Sequence, residues 1–403
     1  MKLFRRIRPG VLYTAVLVFC LVLLLSLTAV VIVIQNRAAE EAARVEAEEY
    51  REWLRGEEEK RARLAWENSL DFAGKLKNGV NTRVLVIGDS IALGSNTATY
   101  ADRWHARLDS KLEAQYGGLL DVENIAMAGG SAFTGWARIL SGEAGEDCDA
   151  AVVMLGLSDG ATDFALYYES LLRALRRTYP RSTVYTVIEP GTNPYLSEEE
   201  RLAQTVSIRS LSEYYQTTLL DMADVFDAHP QSDTLYKDPS KPVHLSPVGE
   251  ELVAAALSDV IAGQVRGWET AAADYVMPAP RNPDALTLDR CRYLPAASFT
   301  RTAGEGKTLT LSLLAPLTPH LFCTDYTMQP GENSILLTVD GVPVLKEGAP
   351  WSWKNTFSYF REQRYIFPIA RGKTLPSGTH IEITFETAIA AVRFRGLIVC
   401  EQL

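Results

Sequence analysis

An α/β protein with a doubly wound, mostly parallel sheet is what the sequence predicts, preceded by a membrane helix and followed by a β-sandwich. Three observations predict it. Apolar runs at 83–87, 119–125, 150–155, 183–188 and 218–222 are each separated by enough residues for a helix, and strand then helix in repetition means a parallel sheet covered on both faces. Residues 11–34 are a run of 24 without a charge. Beyond a Pro-rich stretch at 276–286 the pattern changes to short alternating runs with turn punctuation and no helical period, as in a sandwich.

The composition sets the frame for these elements. A chain of 403 residues, 47% hydrophobic and 22% charged, is that of a folded protein with about two domains. Its net charge of -10 repels a phosphate backbone, which argues against nucleic acid as a partner.

In chain order, the uncharged run at 11–34 is long enough to cross a bilayer in helical form and longer than the apolar core of a cleaved signal. Lys2, Arg5, Arg6 and Arg8 precede it and a Glu-rich segment follows. The positive-inside rule therefore puts residues 1–10 in the cytoplasm and the bulk of the chain outside. Residues 35–78 are good helix formers of mixed charge, with Glu40–Arg44, Glu57–Arg61 and Glu59–Arg63 at the helical i, i+4 spacing; they read as a solvated helical stalk. No sustained heptad marks them as a coiled coil.

The α/β unit is expected over 79–264, with helices at 101–116 and 163–178 and a last one from Pro247 to about 261, capped by Ser246 with Pro247 at its first position. In such sheets ligands sit at the carboxyl ends of the strands. The first strand runs into GDSIALGS, which puts Ser90 at the strand-to-helix corner, its hydroxyl toward the crevice. The second strand is followed by Gly129 and Gly130, where backbone amides can approach a ligand closely. The third ends in Gly156-Leu157-Ser158-Asp159, and DPSKPVHLSP near the end of the unit carries His244.

These four segments, in this order and spacing, resemble the SGNH/GDSL hydrolase family. The resemblance implies a flavodoxin-like, three-layer α/β/α domain and a serine esterase without a cofactor. It assigns Ser90 as nucleophile, His244 as base, and the Ser90 and Gly129 amides as oxyanion donors. The chemistry is coherent, since a serine hydroxyl needs an adjacent base at neutral pH and imidazole titrates in the right range.

Two positions depart from the family pattern. Ser158 stands where the family has the Asn that gives the third oxyanion donor, and is the candidate for that role as a weaker donor. Lys241 stands three residues before His244, where the family has its acid, and a lysine cannot accept the histidine N–H. Asp238, six residues before His244, is the candidate acid; a backbone carbonyl, a bare Ser90/His244 dyad and a decayed site are the alternatives.

Of the five cysteines, Cys20 lies in the apolar run and Cys148 stands alone in the α/β unit. Cys291, Cys323 and Cys400 leave room for one bridge outside the cell, with the pair unassigned. No Cys/His spacing matches a metal site.

Residues 265–286 read as a linker and 287–403 as an accessory β-sandwich, with strands at 308–314, 334–339, 342–346, 364–369, 380–386 and 391–400 and a hairpin turn at Asp340-Gly341. Within it WSWKNTFSYF, 351–360, reads as an aromatic-rich loop. Trp351 and Trp353 are the candidate sugar-stacking residues, against the competing reading that they fill the sandwich core.

The function expected is an extracytoplasmic serine esterase that removes O-acetyl groups from a cell-envelope or extracellular polysaccharide. Its partners are an acylated carbohydrate and, through residues 11–34, the membrane. The alternatives are an O-acetyltransferase served by a membrane acyl-donor partner and a catalytically degenerate carbohydrate-binding surface protein.

Overall fold

The structure, a computed structural model, describes residues 9–95, 97–160, 163–192, 196–271, 275–302, 306–345, 349, 351–355, 361–368 and 373–401, the backbone alone at 9, 353, 355 and 361–368. The chain divides into two units, Met1–Ser69 and Leu70–Leu403.

The first unit is one helix, α1 (Pro9–Ser69). It contains a stretch long and apolar enough to cross a membrane, and none of that stretch is buried against protein. Thr14, Ser26 and Thr28 return their hydroxyls to carbonyls one turn back, so these polar groups do not interrupt an apolar surface. Farther along, Lys60 pairs with Glu57 and Arg63 reaches forward to Glu67, not back to Glu59.

The second unit begins with α2 (Phe72–Lys77), which the sequence reading counted as stalk. Phe72 and Leu76 are almost fully buried in one core with α8 (Pro247–Gly267), because the helix carries an apolar pair four residues apart. The parallel sheet comprises β1 (Thr82–Gly88), β2 (Leu120–Asn124), β3 (Ala150–Met154), β4 (Thr183–Ile188) and β5 (Thr218–Asp221), ordered β2-β1-β3-β4-β5. This is the flavodoxin-like order, whose switch point lies beside β1. One face packs on α3 (Trp104–Tyr116), α2 and α8. The other packs on α4 (Ala132–Leu140), α5 (Phe164–Thr178) and α6 (Glu198–Tyr214). Ser246 caps α8 as expected, accepting from the Val248 and Gly249 amides at 3.2 Å.

The C-terminal part is two antiparallel sheets. One is ordered β11 (Val342–Val344), β10 (Gly331–Val339), β14 (His380–Phe385), β8 (Thr308–Ser312), β7 (Thr300–Arg301), with β12 (Trp351–Asn355) also on β10. The other is β13 (Arg361–Pro368), β9 (Pro319–Met328), β15 (Phe394–Glu401), β6 (Cys291–Pro295). Residues 351–355 are thus a strand, not a loop: Trp351 pairs in register with Ile335. The segment 388–392, the end of which overlaps the start of the predicted last strand, is a short helix.

The two parts share a core. Cys291, Cys323, Ile398 and Cys400 lie in the same buried cluster as Phe133, Trp136, Tyr168 and Leu171 of α4 and α5. The four-stranded sheet is therefore covered on both faces, by the other sheet and by these helices, which explains the near-continuous burial of β15 and the apolar run LIVC that forms it. Cys291 and Cys400 face each other across β6 and β15 and form the disulfide; Cys323 stays buried and reduced.

The stretch read as a linker is fastened as well. Glu169, buried in α5, accepts from the Arg281 and Asn282 amides and from the Tyr215 hydroxyl. Arg173 binds Asp289 at 2.9 Å and the Pro278 carbonyl at 2.8 Å.

Candidate active site

Ser90 sits in a tight turn just after β1. Its backbone is pinned from several directions. Leu93 N donates to Asp89 O at 3.0 Å and Ser95 N to Ser90 O at 2.9 Å. The indole of Trp104, fully buried at the start of α3, donates to the Ile91 and Ala92 carbonyls, and Asn124 at the end of β2 also binds Ala92 O. A serine held this way would have little freedom to lose if it were to react.

The loop after β2 folds against the end of β1. Met127 N donates to Gly88 O at 3.2 Å, and a Cβ on Gly130 would stand 2.6 Å from that same carbonyl, so only glycine permits the approach. Gly129 has φ +77°, in the left-handed region. Ser131 caps α4, with its hydroxyl accepting from Thr134 N. Asp159, from the loop after β3, accepts the Ala132 amide at 2.9 Å and ties that loop to the glycines. Among the described residues neither the Ser90 N–H nor the Gly129 N–H is engaged in a hydrogen bond, so both amides remain available to an incoming oxygen.

His244 is carried on a loop closed by the Tyr236–Leu245 bridge, with Lys237 N on His244 O. Thr192 N donates to Pro242 O at 3.0 Å, which docks this loop on the residues following β4. The imidazole is half-buried. Burial pushes its titration below the usual histidine range; the negative charge of Asp89 opposes this and Lys237 reinforces it. Among the described residues no group hydrogen-bonds the ring, and the Ser90 hydroxyl is not bonded to it in this state.

The candidate acid does not reach the ring. Asp238 Oδ1 accepts from Ser240 N at 3.0 Å and from Ser240 Oγ at 2.6 Å. Its carboxyl is exposed and held below the usual carboxylate range by Ser240. The Ser-Lys-Pro turn thus closes on Asp238 itself instead of bulging to present it. Ser158 is also redirected. Its hydroxyl lies 3.1 Å from Asp89 Oδ2, and a hydroxyl has one hydrogen to donate, so the carboxylate competes with any oxyanion for it.

Asp89 is the residue that sequence reasoning left without a role. It is fully buried, accepts from Ile91 N at 2.9 Å and from Ser158, and meets Glu189, the residue following β4. Glu189 Oε2 accepts from Leu157 N at 2.9 Å. Burial raises both carboxyls, and the adjacent Asp89 charge drives Glu189 well above its usual range. The one available signal was an acidic residue directly following an apolar strand, in VIEP.

The aromatic candidates are not brought to this site. Trp351 is partly buried against the sandwich core, which is the packing role expected of most aromatics. The Trp353 side chain and residues 356–360 lie outside the described residues. Among the described residues no cluster of His, Cys, Asp or Glu has the arrangement of a metal site.

A serine with unengaged neighbouring amides at the carboxyl end of a doubly wound sheet is an arrangement compatible with hydrolysis of ester bonds. Residues 86–252 match the GDSL-like lipase/acylhydrolase family model. No curated relative matches in sequence. Among solved structures, a two-domain esterase active on acetylated mannans shares the fold. Alone it has a TM-score of 0.59 at 15% identity over 81% of this chain and 94% of its own. Co-crystallised with mannopentaose it has a TM-score of 0.58 at 15% identity, over 82% and 93%.

Proposed function

We propose that this chain is a membrane-anchored, extracytoplasmic serine esterase that removes O-acetyl groups from a polysaccharide of the cell envelope or its surroundings. The observation that carries the reading is the pair of unengaged amides, Ser90 N and Gly129 N, beside a rigidly held serine. Ser90 attacks the acetyl carbonyl while His244 takes its proton. The tetrahedral oxyanion is received by the two amides, a kind of contact worth about 3–4 kcal/mol per donor. His244 returns the proton to the departing sugar oxygen, and water then resolves the acetyl-enzyme by the reverse route.

The polysaccharide substrate is supported by the neighbour of the same two-part build, an esterase active on acetylated mannans. The anchor and its orientation are supported by the apolar stretch of α1 and the basic residues Lys2, Arg5, Arg6 and Arg8 that precede it.

The test is release of acetate from a chromogenic acetate ester and from acetylated mannan by the detergent-solubilised full chain. Ser90→Ala is expected to reduce kcat by at least ~10³. Equal rates in the variant would remove Ser90 from the mechanism.

A further inference from the structure

The Gly129 amide is presented by a closed turn. Gly130 N donates to Met127 O at 2.9 Å, which folds Met127-Ala128-Gly129-Gly130 on itself and puts Gly129, at φ +77°, in the third place, where a type II turn takes glycine. The direction of the Gly129 N–H therefore depends on where Met127 is held. On one side β1 holds it: Ile125 N donates to Val86 O at 2.9 Å and Met127 N to Gly88 O at 3.2 Å. On the other, a single side chain does so. Arg138, in the last turn of α4, donates from Nη1 to the Ile125 carbonyl and from Nη2 to the Met127 sulfur at 3.3 Å.

Arg138 is buried, and a buried guanidinium needs a counter-charge. Glu143 Oε2 lies 3.8 Å from Arg138 Nε. The same oxygen takes Nη2 of Arg395, from β15, and Arg395 Nε stands 3.7 Å from Asp325 Oδ2, on β9. Asp325 is almost fully buried and accepts the Tyr293 hydroxyl at 2.8 Å. Four charges of alternating sign thus run from the sandwich, across the seam between the two parts, to the turn that carries Gly129.

We propose that this row makes the β part a support of the oxyanion site. Arg138 is a positioning residue that fixes the Gly129 amide, and Arg395 and Asp325 fix Arg138 through Glu143. This rests on the reading of the Gly129 N–H as an oxyanion donor. It also gives a reason for a charge at Asp325, inside a strand covered on both faces, where an apolar residue of similar volume often packs at no loss.

The experiment uses the full chain in detergent micelles. One readout is kcat and KM on nitrophenyl acetate. The other is hydrogen exchange, by mass spectrometry, of the peptide spanning 125–131, in which the Ile125, Met127 and Gly130 amides are bonded. Arg395→Met should lower kcat about 10-fold with KM within about twofold, since small misplacements at a reacting centre are costly. It should also speed exchange in 125–131 about 10-fold. Arg395→Lys keeps a charge for Glu143 and should return kcat to within about threefold of wild type. Arg138→Met should lower kcat about 100-fold. Asp289→Asn is the comparison: it weakens a seam pair, Arg173 with Asp289 at 2.9 Å, that leads to α5 and not to the turn. It should lower the denaturation midpoint and leave kcat and the exchange of 125–131 within about twofold.

An unchanged kcat in Arg395→Met overturns the proposal, and so does unchanged exchange in 125–131. A fall in Asp289→Asn as large as in Arg395→Met also overturns it, because any loosening of the seam would then slow the enzyme. If either methionine variant does not fold, Glu143→Gln, which removes the charge shared by both arginines, decides by the same two readouts. A wild type inactive on esters would sink the esterase reading, while exchange, which needs no turnover, would still show whether Arg395 holds the turn.

Discussion

Asp238→Asn is expected to leave kcat/KM within about threefold of wild type, whereas loss of the orienting acid in an assembled triad costs about 10⁴. The reason is local: its carboxyl accepts from the Ser240 amide and hydroxyl, two residues on, and is not bonded to His244. A pH–rate profile of the variant checks it, and a loss above 100-fold would restore Asp238 as the acid. At this scale the placing of Ser90, Gly129 and His244 was legible because a strand-end turn, a left-handed glycine and a histidine in a Pro-flanked loop each leave a mark in the local sequence. Asp89 and Glu189 were not. Their pairing joins residues on different strands, and nothing in GDS or VIEP indicates that two acids share a pocket until β1, β3 and β4 are laid side by side.

Between elements, α8 caps α3. Glu250, buried in the first turn of α8, accepts the Trp104 amide at 2.8 Å, and Trp104 in turn carries the Ser90 turn. Burial raises the Glu250 carboxyl from its ordinary value to about 7. A carboxyl with a raised folded-state pKa binds a proton that the unfolded chain has released. Its favourable contribution is whole below the unfolded value of 4.5 and is lost as the pH climbs through about 7. Glu250→Gln keeps an acceptor for Trp104 without this loss. It should match wild type near pH 4 and exceed it at about pH 8 by something on the order of 3 kcal/mol, as read by urea unfolding at the two pH values. A variant less stable than wild type at the higher pH would mean that the charge itself is needed at the helix start. The sequence showed the helices and parallel strands through their periods. It hid β9, where Thr324 and Asp325 are buried, because a strand covered on both faces loses the alternation that marks one half exposed.

For the whole molecule, the disulfide closes a loop of 109 residues around nearly the entire β part. Replacing Cys291 and Cys400 together by Ser should lower stability by about 2–5 kcal/mol, measured as a fall in denaturation midpoint that reducing agent reproduces in wild type. A wild type insensitive to reductant would place the stabilisation elsewhere. The cohesion of the α/β and β parts was the least legible property. The Pro-rich stretch reads as punctuation, and only the meeting of Glu169 with the Arg281 and Asn282 amides, and of α4 with β15, turns it into a seam.

The position of β15 has a consequence for how the chain is made. It is the last strand in chain order, yet it lies between β9 and β6 and under α4 and α5. During synthesis α4 and α5 emerge with an apolar face uncovered, and about 220 further residues follow α5 before Ile398 and Cys400 arrive to cover it. The nascent chain therefore passes through a long interval in which its sheet edge is open to a neighbour's strand. A holding chaperone would shield it until the final strand closes the sheet.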